Sequence, residues 1–382
     1  MADADCAPFS MDVSQAVVDD LYARLDLTRY PDQLPDAGWD YGAELSYVRE
    51  LCSYWRNGFD WRASQARFNA FPQFLTEIDG QRLHFYHVRS PEPDALPLII
   101  THGWPGSVAE FLDILGPLSD PAAHGGDPRQ AFHVVAPSIP GYCFSGPTHE
   151  RGYSGQRAAL TNIALMARLG YARYGAQGGD WGSHISTLMA QAAPGRLVGL
   201  HLNMISGTPP GPDAVLSAED IAYMDWKRTY DAHEHGYIGI QSTKPQTLGY
   251  GLMDSPTGLA AWIVEKFRTW SDCGGDIETV FSKDRLLDNI MLYWVTGTIN
   301  SANRLYYEAL GPGRRAPVGY ITTPTGHARY PAEIGRPPRS WAERNYNIVR
   351  WTDMPKGGHF AAMEQPVGFV EDVRAFFATL RI

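Results

Sequence analysis

The sequence predicts an α/β fold on a mostly parallel sheet, and three observations carry that expectation. Short apolar runs alternate with segments of helical periodicity through the middle of the chain, the order expected when helices cover both faces of a sheet. One such run, Leu98-Ile99-Ile100, is wholly apolar, as befits a strand buried on both faces. The stretch from Tyr171 to Met189 reads as a short strand, a glycine-crowded turn and an apolar helix, with Asp180 at the apex.

Taken in order, residues 13–25 place Val17, Val18, Leu21 and Leu25 at helical spacing behind Ser14, a candidate N-cap. Two more helices are expected over 43–57 and 61–71, so residues 1–72 read as a helical strap without a core of its own. Residues 74–88 form a hairpin: two alternating runs flank Asp79-Gly80, a pair suited to a two-residue turn. Strands follow at 98–100 and 132–137, into the Asp180 turn, and at 197–204, with helices over 108–115 and 156–169 and beyond Asp180. From 206 to 310 the alternation stops in a helical, aromatic and loop-rich insertion, expected over the carboxyl ends of the strands. Residues 317–322 and 346–351 resume the strands, and 367–380 is an amphipathic helix. The expectation is an eight-stranded sheet whose core spans 73–205 and 311–382, with residues 206–310 as a helical cap inserted after the sixth strand.

Of the 382 residues, 44% are hydrophobic and 19% charged, the balance of a globular protein with ample core. The net charge of −10, with Lys and Arg dispersed, argues against nucleic acid as a partner. Cys6, Cys52, Cys143 and Cys273 are widely scattered, so free thiols in a reducing compartment are expected. The first ten residues are acidic and lack the apolar centre of a signal peptide, and no run of about 18 apolar residues occurs. A cytoplasmic protein with no membrane partner is expected. His233-Glu234-His235 lacks the His-Glu-x-x-His spacing of a helical metal site, so neither metal nor cofactor is expected.

Gly178-Gly179-Asp180-Trp181-Gly182 follows the pattern Gly-x-nucleophile-x-Gly, in which glycines allow a turn sharp enough to hold the central side chain over the end of a sheet. Asp180 could instead serve as a helix N-cap. As a nucleophile it is already ionised, needs no base to attack, and suits displacement at carbon to give an ester that water must cleave. Three features at strand ends could meet it. His102-Gly103-Trp104-Pro105 can offer the Trp104 N–H, which with the Trp181 N–H would form an oxyanion hole. Gly357-Gly358-His359-Phe360 gives His359 room to reach across. The acid that orients this histidine is, by position, Glu333, Asp353 or Glu364; the order nucleophile, acid, histidine favours Glu333, with Asp353 as the fallback. With no hydroxyl to deprotonate, the histidine must act in the second step, on water. Epoxide opening and dehalogenation both fit that chemistry. Only the first needs a proton donor for a departing oxygen, a role tyrosines can fill.

His102-Gly-Trp-Pro-Gly-Ser107, Pro137-Ser-Ile-Pro-Gly-Tyr142, Gly178-Gly-Asp-Trp-Gly-Ser183 and Gly357-Gly-His-Phe-Ala-Ala362 together resemble the microsomal-type epoxide hydrolases. That branch of the α/β-hydrolase fold includes the insect juvenile hormone epoxide hydrolases. The likeness extends to residues 47–61, Gln241-Ser-Thr-Lys-Pro-Gln246, Leu292-Tyr-Trp-Val-Thr-Gly-Thr298 and Pro338-Arg-Ser-Trp341. It implies Asp180 as nucleophile, His359 as base and Glu333, in Tyr330-Pro-Ala-Glu333, as its acid. It also implies two cap tyrosines that hold the epoxide oxygen, Tyr237 and Tyr306, with Tyr307 the alternative to Tyr306. The hydrophobic anchor of the vertebrate members is absent, so the resemblance is to a soluble bacterial- or fungal-type member, some of which serve natural-product pathways such as enediyne biosynthesis. The implied reaction is cofactor-independent: a bulky apolar or aryl epoxide and water give a vicinal diol. The alternatives are a haloalkane dehalogenase with the same Asp nucleophile, against which Trp104 stands where Asn is usual, and a catalytically silent ligand-binding protein. A monomer and a homodimer both fit the sequence.

Overall fold

The computed structural model describes residues 6–313 and 318–380. The first element is a strand beyond the eight expected, β1 (Ala7–Phe9), which runs antiparallel to the next strand from Ala7↔Leu75 to Phe9↔Gln73. Three residues, one of them Pro8, are too few to show alternation, and it is the neighbouring edge that makes them a strand. Three helices follow: α1 (Gln15–Asp26), α2 (Leu45–Asn57) and α3 (Trp61–Phe68). The carboxylate of Asp60 caps α3, accepting from the N–H groups of Arg62 and Ala63, whereas Ser14 makes no such bond at α1.

The hairpin is β2 (Gln73–Ile78) and β3 (Gln81–Val88), and both turn residues have positive φ, 54° at Asp79 and 69° at Gly80, as a type I′ turn requires. Then come β4 (Leu96–Thr101), a 3-10 turn at Val108–Phe111 leading into α4 (Leu112–Ser119), β5 (Phe132–Pro137), α5 (Gly155–Arg168), β6 (Tyr174–Gly178), α6 (Asp180–Ala192) and β7 (Leu197–Leu202). Six helices fill the insertion: α7 (Ala218–Glu234), α8 (Gly236–Gln241), α9 (Pro245–Asp254), α10 (Pro256–Trp270), α11 (Lys283–Thr296) and α12 (Ile299–Leu310). The chain returns through β8 (Ile321–Arg329), α13 (Arg339–Ala342), β9 (Tyr346–Asp353), α14 (Ala361–Glu364) and α15 (Pro366–Ala378).

The described strands form one sheet of nine, not eight, in the order β1-β2-β3-β5-β4-β6-β7-β8-β9. The β1-to-β5 side pairs antiparallel and every pair from β5 to β9 is parallel. The strand expected at 317–322 begins at Ile321 and runs on to Arg329, while Pro317 lies outside the described residues. Pro324 hides that strand in the sequence: it has no N–H to give the ladder, and the register shifts at that point.

Helix α15 seats on the sheet over three glycines. A Cβ on Gly175 would lie 2.5 Å from the Phe377 ring, and one on Gly199 or Gly326 within 3.0 or 2.6 Å of the Phe376 ring. Both phenylalanines are fully buried, each contributing roughly 2 kcal/mol. The N-terminal helices pack outward, onto the insertion: the Trp55 indole N–H donates to Met291 Sδ at 3.2 Å, and Tyr54 Oη to Asp284 at 2.7 Å. Among the described residues no helix is long and apolar enough to cross a membrane.

Candidate active site

Asp180 sits at the carboxyl end of β6, in the middle of the parallel strands, where ligands bind in sheets of this kind. Its φ is +47°, a left-handed conformation that costs a non-glycine residue about 1 kcal/mol or more and lifts the carboxylate off the sheet. The flanking glycines are steric necessities. A Cβ on Gly178 would lie 2.2 Å from the Gly182 carbonyl, and one on Gly182 only 1.7 Å from Thr101 O. The carboxylate stands in the first turn of α6, where the helix dipole favours negative charge.

The loop after β4 closes against it. The Trp104 N–H donates to Asp180 Oδ1 at 2.7 Å, and a Cβ on Gly103 would lie 2.2 Å from the same oxygen. The Trp181 N–H lies in the first turn of α6, where a donor has no intrahelical acceptor. The insertion holds this loop in place. Asn289 Nδ2 donates to the Pro105 carbonyl at 2.7 Å, Ser107 Oγ donates to Asn289 Oδ1 at 2.7 Å, and Tyr293 Oη donates to the Gly106 carbonyl at 2.6 Å. His102 takes no part in this contact: its Nε2 accepts the Ile139 N–H at 3.1 Å, and burial pushes its pKa down to about 4. It is a neutral structural group that ties the β4 loop to the β5 loop.

His359 follows β9 in a loop shaped by glycine. Gly357 has φ +108°, and a Cβ on Gly358 would strike the Trp270 carbonyl at 2.6 Å, the oxygen to which the His359 N–H donates at 2.9 Å. The ring is buried. Nδ1 is 2.8 Å from Glu333 Oε1, and Nε2 is 3.4 Å from Asp180 Oδ2, an ion-pair contact rather than a hydrogen bond. Burial would lower the imidazole pKa, but the charges of Glu333 and Asp180 outweigh it and hold the pKa well above the usual 6.5. Glu333 Oε1 also accepts the N–H groups of Ile334 and Gly335, at 2.6 and 3.1 Å. The other two acids go elsewhere. Asp353 is exposed and pairs with Arg329, while Glu364 accepts the N–H groups of Asp272 and Phe360 and so fixes the His359 loop.

Above Asp180 the insertion supplies an aromatic roof. Tyr237, on α8, stacks on the Trp104 indole at 5.1 Å and 6°. Tyr306, on α12, meets Trp104, Trp181 and Tyr237 edge to face at 5.7, 4.9 and 5.8 Å. Burial keeps both phenols protonated, with pKa values well above the usual 10, helped by the Asp180 charge at Tyr237 and by Tyr237 and then Asp180 at Tyr306. Tyr307, half-buried, makes none of these ring contacts. Asp180, His359, Glu333, Tyr237 and Tyr306 are therefore within one cluster with the Trp104 and Trp181 loops.

Residues 6–111 match the family model described as epoxide hydrolase N terminus, and residues 97–237 the model described as alpha/beta hydrolase fold. Epoxide hydrolase 1 of Sus scrofa is 40% identical over 407 residues, covering 99% of this chain and 90% of the relative. The chain belongs to the epoxide hydrolase family. The crystal structure of juvenile hormone epoxide hydrolase from the silkworm Bombyx mori superposes on this epoxide hydrolase with a TM-score of 0.91 at 31% identity, covering 99% and 95% of the two chains. For the Aspergillus niger epoxide hydrolase the TM-score is 0.88 at 31% identity, with 98% and 96% covered.

Several residues of this epoxide hydrolase site escape the sequence reading. Trp270, Asn289 and Tyr293 hold the His359 and Trp104 loops from helices far away in the chain; Tyr293 falls in the Leu292–Thr298 motif, which gives it no role, and no local pattern marks the other two. Glu110 does carry a signal, Ser107-x-x-Glu110, but that pattern suggests only a capped helix start.

Proposed function

We propose that this epoxide hydrolase turns a bulky apolar or aryl epoxide into a vicinal diol through an ester on Asp180. The observation that carries this reading is His359 standing between two carboxylates, 2.8 Å from Glu333 and 3.4 Å from Asp180. Trp104 N–H holds Oδ1, which leaves Oδ2 free to attack a ring carbon. As the new C–O bond forms, the carbon–oxygen bond of the epoxide breaks. The departing oxygen takes a proton from Tyr237 or Tyr306, both kept in the O–H form. Alkylation turns Asp180 into a neutral ester, which removes one of the two charges that keep His359 protonated. His359 returns its proton to the tyrosinate, and the neutral imidazole then serves as base for water attacking the ester carbonyl, with the N–H groups of Trp104 and Trp181 receiving the oxyanion. Cleavage gives an alkoxide and the Asp180 carboxylic acid, whose proton passes to the alkoxide, so that the diol leaves, Asp180 is again a carboxylate and His359 is again protonated.

In this reading residues 206–310 act as the cap that brings the tyrosines, on a core of 73–205 and 311–382, and residues 1–72 as an arm bracing that cap. The aromatic roof favours aryl or bulky apolar substrates, and two phenols suit an oxygen leaving group better than a halide. A cytoplasmic location and a homodimer joined through the arm belong to the same proposal; exposed Leu27, Leu34 and Tyr41 support the second, and light scattering of the purified protein tests it. The chemistry is tested with His359→Gln and styrene oxide. The ester should accumulate as a protein adduct of the substrate's mass while diol release falls about 10³-fold. Diol release at the wild-type rate, without adduct, would contradict the reading.

A further inference from the structure

We propose that Glu110 is a positioning residue for the second step, holding the hydrolytic water against His359 while Asp180 carries the ester. The inference rests on the two-step reading above and adds a group to it. Glu110 follows the Trp104 loop, and its carboxylate folds back under that loop: a Cβ on Gly106 would lie 1.8 Å from Oε1, so glycine there makes the carboxylate's seat. Protein surrounds the side chain, yet it keeps some free surface. Glu110 is among the residues lining a cavity of about 10 Å³, with Asp180, His359, Gln177 and Asn203 on its polar side and an apolar side that includes Phe369. A polar cavity of about 10–15 Å³ holds one water when it offers two or more hydrogen-bonding partners.

The chemistry asks for a second acceptor at that spot. Water attacking the ester gives one proton to His359 Nε2, because Nδ1 is bonded to Glu333. Its other proton needs an acceptor that fixes its orientation. Asp180 is the group under attack and Glu333 is behind the imidazole, so Glu110 is the carboxylate left at the cavity. Burial pushes its pKa up to about 8, opposed by the His359 charge, reinforced by Asp180, and opposed again by the N–H groups of Gly103 and Ser107, so the carboxylate form that accepts the water proton grows toward alkaline pH.

The competing explanation is structural. Ser107 Oγ accepts the Ala109 N–H, and Glu110 bonds back to the Ser107 backbone, as in a capping box. Gln serves a capping box as well as Glu does, so E110Q separates the two. Rapid-quench single turnover with styrene oxide, followed by intact-protein mass, reads both steps. The expected result is alkylation within about 2-fold of wild type, ester hydrolysis slowed about 10–100-fold, and a lasting adduct. Hydrolysis at the wild-type rate, or equal loss in both steps, overturns the proposal. If E110Q does not fold, E110D draws the carboxyl group back from the cavity and must show the same selective loss; equal or no loss again overturns it. Wild-type enzyme run alongside must show a transient adduct. If it shows none, the ester reading itself falls, whatever Glu110 does.

Discussion

Among the described residues two buried histidines are paired with an acid, and they differ in how completely that acid is satisfied. His201, on β7, meets Asp372 of α15 at 3.1 Å, and the other oxygen of Asp372 accepts from Arg350 at 2.6 and 2.9 Å and from Thr352 at 2.8 Å. Burial would raise the Asp372 pKa, but the bonds from His201, Arg350 and Thr352 prevail and hold it well below the usual carboxylate range. His359 and Glu333 are just as buried, but Glu333 Oε2 has no partner, and the far ring nitrogen faces a second carboxylate beside a water-sized cavity. In the first pair both Asp372 oxygens are bonded, although His201 Nδ1 has no partner, and the pair ties the sheet to α15. The second is left open where substrate and water complete it. A buried imidazole with an acid is not by itself a site; the second carboxylate facing His359 and the cavity beside it are the signal.

The sharpest way to break this contrast is to remove the group that separates the pairs. Asp180→Ala should cut turnover at least about 10⁴-fold in steady-state kinetics. Near-wild-type turnover would place the chemistry elsewhere. Next come the acids. Asp372→Asn should lower stability by about 3–5 kcal/mol in urea denaturation, by breaking a buried pair, while leaving kcat/KM of the folded fraction within about 2-fold. Glu333→Gln should do the reverse, losing about 10²-fold in turnover with a smaller change in stability. Tyr237→Phe and Tyr306→Phe should each slow alkylation about 10²-fold in single turnover, with Tyr307→Phe within about 2-fold. The smallest effect lies in pH. The raised His359 pKa gives stability that is full below about 6.5 and lost as pH rises through the folded value. The depressed Asp372 pKa gives stability present above about 3.9 and lost on acidification. The deficit of Asp372→Asn relative to wild type should therefore shrink toward acid, and that of His359→Gln toward alkali.

What the sequence disclosed follows the same division. Asp180, His359 and the Asp79-Gly80 turn are marked by glycines, because backbone geometry allows little else there, and glycine is visible in a sequence. The β8 strand is obscured by Pro324, and β1 exists only because an edge lies beside it. Glu333 emerged from chain order among three acids, and only the Nδ1 contact separates it from Asp353 and Glu364. Trp270, Asn289 and Tyr293 act across long stretches of chain, so their roles emerge only from tertiary contacts, although Tyr293 lies in a motif the sequence shows. Glu110 looks like a cap until the cavity beside it is seen.

The central claim is that Asp180 joins covalently to the substrate before water enters the reaction. Turnover of styrene oxide in ¹⁸O-water with enzyme in excess tests it directly. The diol of the first turnover should carry no label, its new oxygen having come from Asp180, and label should reach the diol only in later turnovers. Label in the diol at the first turnover would mean that water opens the ring itself, and the account would be wrong.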